Sequence, residues 1–180
     1  MFGFALMFGG SGAAPGLEHG NAFIGYSGFF LAGGSYDVQT MVLWLFQMVF
    51  ATKTVSIIAG GVAERMKYGP YVIYSFLVAG VIYPIYGHWV WGGGWLGSLP
   101  IGSGVLDFAG SATIHTVGGM LALVGAYFLG PRKGKYNPDG TPNAIPGHNL
   151  TLVVIGTLML AFGWFAFNSG SSLAATDLRI

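Results

Sequence analysis

Two long stretches without a charged residue constrain the fold of this chain more than any other feature. Residues 68–106 and 140–176 contain no Asp, Glu, Lys or Arg. Over the whole chain 53% of residues are apolar and 7% are charged, whereas a soluble domain carries about 25% charged residues. Such stretches cannot form a water-soluble surface. The sequence therefore predicts a membrane protein and argues against a soluble enzyme, a nucleic-acid-binding protein and a disordered tail.

The remaining composition excludes several kinds of partner and site. The formal net charge of +1 indicates no nucleic acid or other polyanionic partner. The chain has no cysteine, which excludes a disulfide framework, Cys-ligated zinc and thiol chemistry. We predict no metal site and no cofactor.

Four continuous apolar segments are long enough to cross a bilayer as helices, which takes about 20 residues each. They cover residues 38–62, 70–91, 108–131 and 150–168, and residues 1–9 form a partial fifth span. Continuous runs of this length argue against transmembrane strands, which alternate. The predicted fold is an all-α, polytopic transmembrane helical bundle forming one domain over residues 1–180. Both ends lie in or beside apolar segments, so we expect a fragment of a longer protein.

The few charged residues predict the orientation of the spans. Basic side chains are concentrated in two alternate links. Arg65 and Lys67 lie in the link after the first full span, and the link after the third contains Arg132, Lys133 and Lys135. The other two links contain acidic residues and no Lys or Arg. Because cytoplasmic loops are enriched in Lys and Arg, the basic links are assigned to the cytoplasmic side.

Asp107 and His115 are candidate functional residues on the third full span. Asp107 opens this span, where it can accept hydrogen bonds from the first turn, or attract a cation at a pore mouth. His115 follows eight residues later, about 12 Å along a helix. An ionisable residue at that depth indicates function, although a buried histidine bonded to a neighbouring helix is the alternative. His88 and His148 lie near membrane boundaries and are interpreted as structural.

A cluster of tryptophans at the outer boundary also allows two interpretations. Trp89, Trp91 and Trp95 surround a run of three glycines. Such residues form the aromatic belt of many membrane proteins. They can equally form a cation–π platform that faces the outer solution.

Lys53 is an anomaly in the first full span. It lies 15 residues beyond Val38, near mid-membrane, where a charged side chain costs at least about 2.5 kcal/mol on insertion scales. It could face a polar cavity or pair with a group elsewhere in the protein.

Several blocks of sequence carry a specific resemblance. They are FQMVFA at 46–51, GVAER at 61–65, HWVWGGG at 88–94, LDFAGS at 106–111 with His115 beyond it, GPR at 130–132 and GWFAFNSGS at 163–171. In order and spacing these blocks resemble the ammonium transporter (Amt/Mep/Rh) family, and most of all its Amt branch. Members of that family are trimers of eleven-helix protomers, each with its own pore. The resemblance places this chain from the end of the second helix to just past the sixth, the first half of a protomer.

The resemblance also implies roles for individual residues. It assigns Trp91 and Ser171 to an outer ammonium-recruitment site with Phe46 nearby. Phe50 and Phe167 match a stacked phenyl gate in the family. His115 matches the first of two pore histidines, and Asp107 matches a structural residue of the vestibule. Lys53 departs from the family, which usually has a small or apolar residue at that position.

The expected function is transmembrane passage of ammonium or ammonia, without enzymatic activity, in the plasma membrane. The implied partners are the cargo, the lipid bilayer, two further copies in a homotrimer, and a cytoplasmic regulatory protein. An ammonium sensor that uses the same fold is the alternative. An intramembrane hydrolase built on Ser171 and His115 is disfavoured, because no nucleophile motif surrounds the serine.

Overall fold

The computed structural model describes residues 1–176, and their regular secondary structure is helical. The chain divides into two compact units, Met1–Gly130 and Pro131–Ile180. The helices of the first unit are α1 (Phe2–Phe8), α2 (Val38–Val62), α3 (Tyr68–Leu77), α4 (Tyr83–Trp91) and α5 (Val117–Leu129). The second unit contains α6 (Leu150–Gly170).

The short helix α1 lies in the core of the first unit. Every residue from Gly3 to Phe8 is buried, and the helix packs against α4. The two backbones approach closely at Gly92, where an added Cβ would lie 1.9 Å from the Met7 carbonyl oxygen. Glycine is therefore required at that position for α1 and the end of α4 to meet.

Helix α2 begins and packs as its sequence dictates. The Asp37 carboxylate accepts a 2.8 Å hydrogen bond from the Gln39 N–H at its N-terminus. Its packed side carries Phe50, Thr54 and Ile58 at helical spacing, all buried. The exposed remainder of the helix is largely apolar, as expected of a helix in a lipid-facing or larger helical assembly.

Helices α2 and α5 pack side by side through small residues. An added Cβ on Gly61 would lie 2.7 Å from Ala122 Cβ, and one on Gly118 would lie 3.0 Å from Ile57 Cβ. Small residues permit such close approach, which is how membrane helices gain packing energy. At the far end of the pair, Arg65 Nη1 donates to the Gly130 carbonyl oxygen at 2.8 Å, which supplies a donor to the end of α5.

Two of the spans contain a π-helical turn. Residues Val78–Ile82 form one between α3 and α4, ending two residues before Pro84, and Ser111–Thr116 form another that runs into α5. Pro84 has no N–H to donate, and a wider turn before it relieves the steric conflict of proline in a helix. The third span starts at Ser111, three residues after the predicted position, because Gly110 takes a left-handed conformation (φ +106°).

The second unit consists of a hydrogen-bonded loop and α6. Asn149 accepts a 3.1 Å hydrogen bond from the Leu152 N–H and so caps the helix. In the loop, the Thr141 hydroxyl and N–H both donate to the Asp139 carboxylate, and these bonds lower the pKa of Asp139. The loop is thus ordered by its own polar side chains.

Four helices of residues 1–176 are long and apolar enough to cross a membrane. They are Val38–Val62, Tyr68–Trp91, Ser111–Leu129 and Leu150–Gly170. The predicted fold class, an all-α polytopic transmembrane bundle, is confirmed. The prediction of one domain over residues 1–180 stays a prediction.

The contact between α2 and α5 predicts the effect of one added methyl group. Gly61→Ala should lower the thermal stability of the detergent-solubilised protein, because overpacking a tight contact costs about 1–3 kcal/mol. Gly60→Ala is the matched control. Apart from its chain neighbours and the nearby backbone of α2 itself, no atom of residues 1–176 lies within 4 Å of a Cβ at that position.

Alanine is a better helix former than glycine by about 0.5–1 kcal/mol, so the control should be unchanged or more stable. The midpoint of thermal aggregation, followed by size-exclusion chromatography, measures both variants. Equal midpoints for the two variants would contradict the packing described for Gly61.

Candidate functional site

The Asp107 carboxylate organises the start of the third span. Its two oxygens accept hydrogen bonds of 2.7–3.0 Å from four consecutive backbone N–H groups, those of Gly110, Ser111, Ala112 and Thr113. These are the groups that a helix leaves without partners at its N-terminus. A carboxylate is also favoured there by the helix dipole. The geometry supports the capping interpretation of Asp107 over that of a cation attractor.

An aromatic cluster lies beside Asp107 in the first unit. The Trp91 indole N–H donates to the Asp107 carbonyl oxygen. The Trp91 ring lies 6.2 Å from that of Phe50, centroid to centroid, and the Phe50 ring lies 4.7 Å from that of Phe46 in an edge-on arrangement. Three of the predicted site residues therefore meet in one chain of ring contacts, anchored to the backbone through Trp91.

His115 lies on the π-helical turn that Asp107 begins. The His115 N–H bonds to the Gly110 carbonyl oxygen at 3.0 Å, five residues back, and its side chain is exposed on the first unit. The preceding residue, Ile114, is completely buried. A π-helical turn places a residue at a different angle from an α-helical turn and is frequent at functional sites.

Ser171 and Phe167 lie at the end of α6, in the second unit. The Ser171 hydroxyl donates to the Phe167 carbonyl oxygen at 2.7 Å. The Phe167 ring lies 5.5 Å from the ring of Trp164. The predicted pairing of Phe167 with Phe50, and of Ser171 with Trp91, stays a prediction.

His88 ties three parts of the first unit together. The ring is completely buried. Its Nδ1 lies 2.8 Å from the Met7 carbonyl oxygen, and its Nε2 lies 2.7 Å from the Asn21 carbonyl oxygen. The His88 carbonyl oxygen also accepts the N–H groups of Gly92 and Gly94, which end α4 directly after Trp91. His88 therefore connects α1 and the loop between α1 and α2 to the end of the helix that carries Trp91.

Three buried polar side chains near the site were not singled out in the sequence. The Gln47 Oε1, Tyr83 hydroxyl and Thr113 Oγ1 atoms are buried without a hydrogen-bond partner among the described residues. Gln47 and Tyr83 line a cavity of about 380 Å³ between α1, α2, α3 and α4. A polar side chain inside an apolar span is the sequence signal that could have identified them, because burial without a partner costs about 1–3 kcal/mol. In residues 1–176 no group of His, Asp and Glu could hold a metal ion.

The four bonds to Asp107 predict a large effect of removing one carboxylate oxygen. Asp107→Asn retains one acceptor oxygen, so two of the four N–H groups lose their partner, at about 1–3 kcal/mol for each buried group. We expect a lower midpoint of thermal aggregation in detergent. Asp139→Asn is the matched control, since Asp139 also accepts local N–H and O–H bonds but lies in an exposed loop. A midpoint unchanged in Asp107→Asn would contradict the capping role.

Comparison with known proteins shows which family the chain resembles. A family model described as "Ammonium Transporter Family" matches residues 1–180. The chain is 53% identical, over 184 aligned residues, to "Ammonium transporter Amt2" of Archaeoglobus fulgidus, and 99% of the chain and 38% of that protein are aligned. It is 43% identical to "Ammonium transporter 1 member 3" of Solanum lycopersicum, with 95% of the chain and 36% of that protein aligned.

A solved structure shows the same relationship. The crystal structure of Saccharomyces cerevisiae Mep2 superimposes with a TM-score of 0.70 at 34% identity, over 97% of this chain and 39% of that chain. The chain thus spans little more than a third of the length of the relatives it matches. The relatives from Archaeoglobus fulgidus and Solanum lycopersicum are named ammonium transporters, in agreement with the prediction that the chain is not an enzyme. The fold, the four apolar helices and the family match together show that the chain belongs to the ammonium transporter family.

Proposed function

We propose that this chain forms part of a transporter that recruits ammonium at its outer face and passes ammonium, or ammonia and a proton, through a hydrophobic pore. The observation that carries the proposal is the aromatic cluster of Phe46, Phe50 and Trp91, which is attached to Asp107. Asp107 in turn begins the segment that contains His115. The recruitment site and the pore histidine are thereby built on one connected structure.

The recruitment site would attract the cation with ring faces and an oxygen. Because the Trp91 N–H is used by the Asp107 carbonyl oxygen, the indole is held in one orientation, and its face can attract a cation at about 0.5–2 kcal/mol. We propose that Ser171 completes the site. Its hydroxyl proton is directed to the Phe167 carbonyl oxygen, which leaves the hydroxyl oxygen able to accept an N–H from ammonium.

Below this site, Phe50 and Phe167 would form an apolar gate. An apolar passage strongly disfavours a bare ion and admits a neutral molecule. Selection against potassium, which resembles ammonium in size and charge, then depends on N–H donation or on loss of a proton. His115 suits the second step because imidazole can accept a proton at one nitrogen and donate one from the other.

The proposal extends to the setting of the protein. The chain belongs to a multi-pass membrane protein, and we propose that this membrane is the plasma membrane. We also propose a homotrimer in which each protomer has its own pore, and a cytoplasmic regulatory protein as a partner of the basic links.

An ammonium sensor with the same fold is the second candidate function. Lys53 favours it, because a cation within a span opposes the movement of another cation. A sensor would bind ammonium without transporting it, and would carry a kinase-like or cyclase-like domain outside this chain. Uptake measurements on the full-length protein distinguish the two functions.

His115→Ala should abolish or uncouple uptake. We expect full-length protein in cells that lack their own ammonium transporters to take up radiolabelled methylammonium. The variant should lower this uptake at least about tenfold, equivalent to about 1.4 kcal/mol in the barrier. His148→Ala, which changes an exposed loop histidine, is the control. Undiminished and equally selective uptake by His115→Ala would refute the proposed pore mechanism.

Trp91→Ala should weaken recruitment rather than passage. Loss of a cation–π contact of about 0.5–2 kcal/mol corresponds to a roughly 2- to 30-fold higher half-saturating concentration of methylammonium. Trp95→Ala is the control. Trp95 contacts Trp89 and is not part of the ring contacts of Phe46, Phe50 and Trp91, so the half-saturating concentration should stay unchanged. Half-saturating concentrations that do not differ between the two variants would argue against Trp91 as a recruitment residue.

A further inference from the structure

The packing of α2 against α5 determines which residues lie at the same depth. Gly61 meets Ala122 and Gly118 meets Ile57, and each pair is separated by 61 residues in the sequence. A constant offset means that the two helices run in the same direction. Continued toward their N-termini by one turn, this offset places Lys53 near the level of Ile114, in the π-helical turn Ser111–Thr116 that also contains His115. The anomalous lysine and the candidate pore histidine therefore share one depth in the first unit.

The two side chains also lie on the same side of the helix pair. Thr54 and Ile114 are both completely buried. Lys53 directly precedes Thr54, whereas His115 directly follows Ile114. One residue rotates a position by about 100° in an α-helix and by somewhat less in the wider π-helical turn that contains His115. When two helices run in the same direction and bury these two positions against each other, the residue before the buried position on one helix and the residue after it on the other point to the same side of the pair. Both Lys53 and His115 are exposed on the first unit, as this rotation requires.

The aromatic cluster lies one turn above this pair. Phe50 precedes Lys53 by three residues on α2, and its ring contacts that of Trp91. A cation that passes Phe50 from outside therefore reaches the level of Lys53 and His115 next. The Lys53 side chain ends in an alkylammonium group, which is a positive nitrogen with three N–H donors. It has the same charge and the same donor chemistry as ammonium and methylammonium.

We propose that Lys53 is a tethered ammonium group that lies beside His115 in the conduction path and opposes the entry of ammonium below Phe50. Lys53 then determines how much cargo this protein passes, and makes it a slow transporter relative to a variant with a neutral side chain there. The inference rests on the proposed function, because it assumes that the side of the helix pair with His115 is the pore. The neighbourhood of Lys53 and His115 itself rests only on the packing of α2 and α5.

A cross-linking experiment tests the placement without reference to transport. The chain contains no cysteine, so a Lys53→Cys/His115→Cys double variant introduces two defined thiols. A short bis-maleimide should join them, and proteolysis after Lys67 should leave the two fragments connected. In the control pair Lys53→Cys/Val124→Cys, the second thiol lies roughly 14 Å further along α5, and no connected fragments should form. Failure to join the first pair would overturn the proposal.

Uptake measurements test the effect on the cargo. Lys53→Met, which preserves length and removes the charge, should raise methylammonium uptake of the full-length protein about tenfold, the scale of repulsion between unit charges roughly 10 Å apart in a protein. Lys53→Arg should stay as slow as the wild type. Lys67→Met removes a charge just before α3 and should have no effect. Unchanged uptake in Lys53→Met beside an active wild type would overturn the proposal.

Ammonium binding separates failure of the inference from failure of the proposed function. If neither the wild type nor any variant takes up methylammonium, the transport function is refuted. Titration calorimetry with ammonium chloride then decides the role of Lys53. Tighter binding by Lys53→Met than by the wild type and Lys53→Arg would support the tethered ammonium group in a sensor, and equal binding would overturn it.

Discussion

The site in the first unit depends on the carboxylate of Asp107 and the four backbone N–H groups that it binds. In lipid there is no water to satisfy the first turn of a helix, so a fixed acceptor is needed where the third span begins. Asp107 supplies it, and the position of this residue also determines that of Trp91 through the Asp107 carbonyl oxygen. The aromatic cluster of Phe46, Phe50 and Trp91 and the start of the segment with His115 are thus held by one residue.

A second constraint is the close contact of α2 and α5. Glycine and alanine at the contact let the helices approach, and their positions establish the register between the two spans. The register decides which mid-membrane groups are neighbours. Two residues that are ordinary in isolation, Gly61 and Gly118, thereby determine that Lys53 and His115 share one depth.

Much of the fold follows from the sequence, while the site follows from it only in part. Residues 38–62 were expected to be one helix, and α2 has those bounds, since a long apolar run with Asp37 before it and Lys53 as its one charged residue favours a spanning helix. The start of the third span was expected at residue 108 and lies at Ser111, because the left-handed Gly110 and the Asp107 bonds precede the helix. The buried polar atoms of Gln47 and Tyr83 were not expected. Their burial depends on residues of α1, α3 and α4 that are remote in sequence, and no local pattern encodes such contacts.

The sequence by itself determined the membrane class, the number of long apolar helices and the family, because each depends on composition or on short ordered motifs. Only the tertiary structure decided that the Asp107 carboxylate accepts four N–H groups, that His88 joins α1 and the loop between α1 and α2 to the end of α4, and that Lys53 lies near the level of Ile114, beside His115. These facts depend on distances between segments far apart along the chain. Such distances are set by helix register and by the close approach of small residues, which become defined only when the helices pack.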